Sequence, residues 1–90
     1  MINYPAILFP SDPKGLVGCV VPDLLINASG SSMDEALNDA AVIMDELLRE
    51  MDENGEAFPE PTPMDEVDPE EGVLVVMAAR VPVPSRTRAA

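Results

Sequence analysis

Ninety residues carrying seventeen acids, five bases, no histidine and a formal net charge of -12 make one small acidic domain built on a single core. Such a charge repels phosphates, which argues against direct nucleic-acid binding by this segment, and general-base chemistry at neutral pH lacks its usual imidazole. The lone Cys19 has no partner for an internal disulfide, no apolar run is long enough to span a bilayer and no signal peptide opens the chain, so the expectation is a cytoplasmic protein without membrane association.

Asn3 to Phe9 reads as a first strand, with Tyr4, Ala6 and Leu8 on one face and Ile7 and Phe9 on the other. Ser11-Asp12-Pro13-Lys14-Gly15 has turn chemistry, and the short connection predicts an antiparallel hairpin with a second strand from Leu16 to Val21. Pro22 removes a ladder donor and Asp23 favours a turn, so that strand should stop there. Leu24 to Ala28 is too short for a helix and predicts a brief third strand. Ser29 to Ser32 reads as a loop, and Ser32 with Glu35 has the spacing of a capping box, each side chain meeting an orphan amide of the helix start.

The helix is the strongest periodic signal. Met33, Leu37, Ala40, Met44, Leu47, Leu48 and Met51 recur at steps of three and four, and Asn54-Gly55 gives the stop. Phe58-Pro59-Glu60-Pro61-Thr62-Pro63 reads as a stiff, extended connector in which Phe58 packs back on the domain. Gly72 to Val83 predicts a last strand whose far end is loosened by Pro82 and Pro84, and Ser85 to Ala90 reads as a basic, disordered tail. The fold class is therefore α+β: a small antiparallel sheet in the order strand, strand, strand, helix, strand, with the helix on one sheet face and a domain ending near residue 84. With Tyr4, Phe9 and Phe58 the only aromatics, the core is aliphatic and methionine-rich, and self-association would help it. A homo-oligomer formed through the second sheet face, which has Ile7 and Phe9, and Cys19 as a further candidate, to cover, or through the last strand, is the expectation.

Between Asp34 and Glu71 fifteen acids face the single base Arg49; beyond residue 71 the sign flips, with Arg80, Arg86 and Arg88 and no acids. A basic protein would be steered to such a surface, while the plainer reading of the charge run is a solvated face. Asp12, Asp23 and Glu35 are the acids near strand ends that a metal-dependent nuclease would need, but turns and the helix cap account for them. There is no glycine-rich phosphate loop and no Cys-X-X-Cys pair, and Cys19 lies inside an apolar strand. The expectation is a non-enzymatic protein with no cofactor and no metal site.

The order of these features resembles the HicB family of antitoxins, in particular its amino-terminal toxin-binding domain. The resemblance rests on the Tyr4 strand, the glycine-containing second strand ending in Pro22-Asp23-Leu24, the helix entrance Gly30-Ser31-Ser32-Met33-Asp34-Glu35-Ala36-Leu37, Ala40, and Phe58-Pro59-Glu60-Pro61 before a final strand. Where the family usually has Pro-Gly and Gly-Asp-Thr, this chain has Leu25-Ile26 and Gly30-Ser31-Ser32. The resemblance implies a partial ribonuclease-H-like fold used for binding, and a partner similar to HicA, a small basic ribonuclease toxin. It also implies that Pro84-Ser85-Arg86-Thr87-Arg88 is the start of a junction to a DNA-binding segment that this chain does not reach. On that reading toxin contacts come from Asp34, Glu35, Asp45, Glu46, Glu53, Glu56 and Glu60. The alternative reading is an oligomerisation or regulatory module of a transcription regulator with no toxin partner.

Overall fold

Alternation along the first strand decides which side of the sheet becomes the core. In the computed structural model, which describes residues 2–79, β1 (Asn3–Phe9) buries Tyr4, Ala6 and Leu8 in the main hydrophobic cluster. β1 pairs with β2 (Val17–Val21), β2 with β3 (Ile26–Gly30), and the helix α1 (Met33–Glu53) follows; β4 (Val73–Ala78) returns to the free side of β1. The sheet order is β3-β2-β1-β4, antiparallel throughout, which is the expected α+β arrangement.

The ladders explain where strands end. The amide of Ala79 donates to the carbonyl of Ile2 at 2.8 Å, so with the register Asn3↔Ala78 and Tyr4↔Met77 the even residues of β1 bond to β4 and its odd residues face β2. The β1–β2 register runs from Phe9↔Gly18 to Ile7↔Val20. Two residues further the same register would set Pro5 opposite Pro22, and neither carries an N–H to donate. The chain therefore leaves the sheet at Pro22 into a single 3₁₀ turn, Pro22–Leu24, closed by Leu25 in the left-handed conformation at φ 56°.

That turn corrects the sequence reading of the third strand. Leu24 belongs to the turn and is buried, whereas Ser29 and Gly30, read as loop, belong to β3. The left-handed residue takes up the start of the apolar run, so the strand slides two positions along the chain. The helix stripe also needs revision. Met33 is 54% exposed because it is the first helical residue, ahead of the sheet-covering turns; Ala36, Ala40, Ala41, Met44 and Leu48 are the buried positions, and Leu37, Leu47 and Met51 flank them. Cys19 points to the helix side, level with Leu8 and Ala28, and is fully buried there, so it does not belong to the opposite face with Ile7.

The small side chains let helix and sheet approach closely. A Cβ on Gly30 would stand 2.5 Å from Cβ of Glu35. The helix lies mainly over β3 and β2, and Phe58 from the connector packs against the same core, as the sequence predicts. The expected strand end at Val83, the domain boundary at residue 84 and the tail lie outside the described residues.

Candidate partner-binding surface

A connector that holds its shape needs tertiary anchors, and two fix this one. Tyr4 Oη donates to the Pro59 carbonyl at 2.7 Å, and Asp23 accepts from both the amide and the hydroxyl of Thr62, at 2.8 and 2.6 Å. Burial, reinforced by the negative charge of Asp23, raises the Tyr4 phenol above its ordinary value of 10.0. Asp23, read as a turn residue, thus does a second task with a residue 39 positions away that local spacing does not reveal. Glu60 is left exposed between Pro59 and Pro61, both half-buried.

The other acids considered for metal work have structural partners. Asp12 accepts from the amides of Lys14 and Leu16 at 2.8 and 2.9 Å, closing the turn as expected. Ser32 accepts from the Glu35 amide at 3.2 Å, but the Glu35 carboxylate takes the Ser31 hydroxyl, so the capping box forms only by half. Among the described residues no group of three or more His, Cys, Asp or Glu side chains stands close enough to hold a metal ion. Burial raises the Cys19 thiol above 9.0, which suits a packing residue better than a nucleophile.

The predicted contact residues do not form one patch. Asp34 and Glu35 occupy the first turn of α1, Asp45 and Glu46 its middle, Glu53 its last position, Glu56 the exit and Glu60 the connector. All are exposed except Asp45, which is half-buried. The helical repeat sorts them further, because eighteen residues make about five full turns and eleven about three. Glu35, Glu46 and Glu53 are separated by eleven and seven residues and therefore fall on one line. Asp39 and Glu50 fall on it too, at four and fifteen residues from Glu35, and both are exposed. These two are not among the contacts expected from the sequence, although the spacing that places them is legible there. The line is about 27 Å long at the helical rise.

Asp34, Asp45 and Asp52 repeat with the same spacing on a second line around the helix, and Arg49 falls between the two. The glutamate line borders β3: Ser29 lines a shallow depression with Glu35, Asn38, Asp39 and Val42. The aspartate line turns toward β4, where Asp34, Leu37, Asn38 and Ala41 face Val76, Met77 and Ala78 across a groove. Val42, 45% exposed, is the apolar member of the glutamate line.

No family model matches the chain, and no curated protein matches it. Solved structures do, and two of them are informative. The Burkholderia pseudomallei antitoxin HicB superposes with a TM-score of 0.76 at 20% identity, over 88% of this chain and 62% of the antitoxin chain. The N-terminal domain of the same antitoxin superposes with a TM-score of 0.78 at 17% identity, over 89% of this chain and 100% of that domain. This chain therefore spans less than two thirds of the antitoxin's length and has the fold of its amino-terminal domain. No helix among the described residues is long and apolar enough to cross a membrane.

Proposed function

We propose that this domain is the toxin-binding part of an antitoxin and neutralises a basic, HicA-like ribonuclease by covering it, without catalysing a reaction. The observation that carries the reading is the exposed line Glu35, Asp39, Glu46, Glu50 and Glu53 on a fold shared with the amino-terminal domain of HicB. A continuous negative stripe on a rigid helix steers a cationic partner and sets its register, which a diffuse excess of charge does not. Asp34 and Asp45 widen the surface toward β4, and Glu56 and Glu60 extend it along the anchored connector. The domain acts in the cytoplasm, needs no cofactor and leaves nucleic acid to its partner.

The test is calorimetric titration into a basic, HicA-like ribonuclease, if one is encoded beside it, at two salt concentrations, with RNA cleavage followed in parallel. Glu46, Glu50 and Glu53 are replaced together by Lys, and Asp65, Glu66 and Asp68, exposed on the loop before β4, are replaced likewise in a control with the same net-charge change. Rim charges contribute about 0.3–1 kcal/mol each, so reversing three should weaken binding by about tenfold or more and flatten its salt dependence, while the control changes affinity little. Equal effects of the two triples would reduce the stripe to general electrostatics, and unchanged affinity in both would remove the electrostatic account.

A further inference from the structure

β3 is an edge of the sheet, and among the described residues no strand pairs with its outer side. It contains no lysine, proline or other blunting residue, and its register with β2 is unbroken from Val17↔Gly30 to Val21↔Ile26, so no bulge turns the edge away. Edges are ordinarily blunted by such devices, because a bare one templates pairing with another strand. Asn27 and Ser29 are exposed. What adjoins this edge is the glutamate line, for Ser29 shares its shallow depression with Glu35, Asn38, Asp39 and Val42.

The ladder register states which groups are open. The odd residues of β1 face β2, so Ile7 and Phe9 bond Val20 and Gly18, and Val17, Cys19 and Val21 turn their groups to β3. Their partners Gly30, Ala28 and Ile26 are thereby satisfied, while Asn27 and Ser29 direct N–H and C=O outward. We infer that this edge takes up an extended segment of a basic protein that carries Lys or Arg at alternate positions. About four main-chain hydrogen bonds to Asn27 and Ser29 hold the segment. Its residue opposite Ala28 lies on the helix side of the sheet, because Ala28 is level with the core residue Cys19. A basic side chain there reaches the carboxylates of Glu35 and Asp39, with its aliphatic stem against Val42, which is 45% exposed.

Spacing and charge together select this occupant. Four helical residues, the step from Glu35 to Asp39, advance about 6 Å, close to the two-residue step of a strand at about 6.8 Å. Alternate side chains of an added strand therefore keep pace with successive carboxylates of the line, while the residues between them, on the far face with Asn27 and Ser29, need carry no charge. A second copy of this chain is a poor occupant, because pairing β3 with its own copy would set one acidic helix beside the other. The inference rests on the antitoxin reading for the identity of the basic protein; the edge chemistry stands on the ladder.

The test is an amide NMR titration of the full chain with a blocked heptapeptide of alternating lysine and valine, beside an analogue N-methylated at its valines and one with glutamine for lysine. The valines are the residues that bond Asn27 and Ser29, so N-methylation removes edge pairing and leaves the charge unchanged. Ser29→Pro does the same from the protein side, since the Ser29 amide is not used by β2, and Asp39→Lys removes the charge match. The expected results are shifts at the Asn27 and Ser29 amides, and affinity lowered about fivefold or more by N-methylation, by glutamine and by each variant, with native circular dichroism in both. No shift at Asn27 and Ser29, or equal binding of the N-methylated peptide, overturns the inference even if Ser29→Pro fails to fold. Ribonuclease binding that the Glu46, Glu50 and Glu53 triple weakens and a folded Ser29→Pro does not would also overturn the edge, and would leave the antitoxin reading standing. Peptide pairing at the edge without any ribonuclease binding would keep the edge and remove that reading.

Discussion

Replacing Gly30 by Ala tests whether the close approach of helix and sheet holds the acidic line in place. The new methyl carbon would stand 2.5 Å from Glu35 Cβ, 2.7 Å from the Ala36 nitrogen and 2.8 Å from the Glu35 carbonyl carbon, against a comfortable carbon separation of about 3.5–4.0 Å. Two of these three neighbours are backbone of the first helical turn, so relief requires the turn itself to retreat by about 1 Å. Overpacking of this kind costs about 1–3 kcal/mol. The Ser32 cap, already 3.2 Å long, would be lost with it, for about 1 kcal/mol more. The total, about 2–4 kcal/mol, is a large share of the roughly 5–13 kcal/mol expected for a domain of this size. Gly18→Ala is the control, because its Cβ would meet Phe9 at 3.8 Å and the Ala28 carbonyl at 4.0 Å, ordinary contacts. In urea unfolding followed by circular dichroism, Gly30→Ala should lower the midpoint by about 2–4 M, taking a slope near 1 kcal/mol/M, and Gly18→Ala should leave it nearly unchanged. Equal midpoints for the two variants would refute the argument from close approach.

Leu25 is held at φ 56° and is 88% exposed, so it carries left-handed strain of about 1–2 kcal/mol without a packing return. Leu25→Gly should raise the melting temperature by about 2–5 °C, the gain being trimmed by glycine's greater chain entropy; an unchanged or lower value would show that the strain is not there. Both resolved titrating shifts, at Cys19 and Tyr4, are upward from 9.0 and 10.0. The folded state then keeps protons that the unfolded chain would release, so stability is full below these ordinary values and falls as pH climbs through the raised ones. Urea midpoints should therefore decline above about pH 9. Tyr4→Phe should lose about 1 kcal/mol at pH 7 with the Pro59 hydrogen bond and decline less steeply above pH 10; a midpoint that rises with alkali would contradict both assignments.

Features governed by local periodicity were legible in the sequence. The bounds of β1 and the reach of α1 follow from alternation and from three- and four-residue steps, and the Asn54 and Gly55 stop follows from glycine's left-handed freedom, Gly55 standing at φ 76°. The third strand was misplaced because a leucine, and not a glycine, occupies the left-handed position that ends the 3₁₀ turn, so no composition signal marks it. Met33 was assigned to the core because periodicity says which way a side chain points and not whether the helix has yet reached the sheet. The bonds Asp23–Thr62 and Tyr4–Pro59 join residues 39 and 55 positions apart, and nothing local encodes them. The acidic line was half seen: composition named Glu35, Glu46 and Glu53, while membership of Asp39 and Glu50 requires projecting the charges onto the helix as strictly as the leucines.

The sheet order explains how one chain can carry so much charge and still keep one strand free of it. β3 and β4 are the opposite edges, and α1 sits over β3 and β2, so the glutamate line is set about three strand spacings, roughly 14 Å, from the uncharged edge. At physiological ionic strength that exceeds the screening length, so the glutamate line is screened from β4, while Asp34 of the second line stands across the groove from it. A uniform distribution of the same acids would put charge beside every strand edge and would blur the stripe. Segregation concentrates the negative field on the helix face, as the proposed binding of a basic protein requires, and leaves the β4 strand itself without a charge.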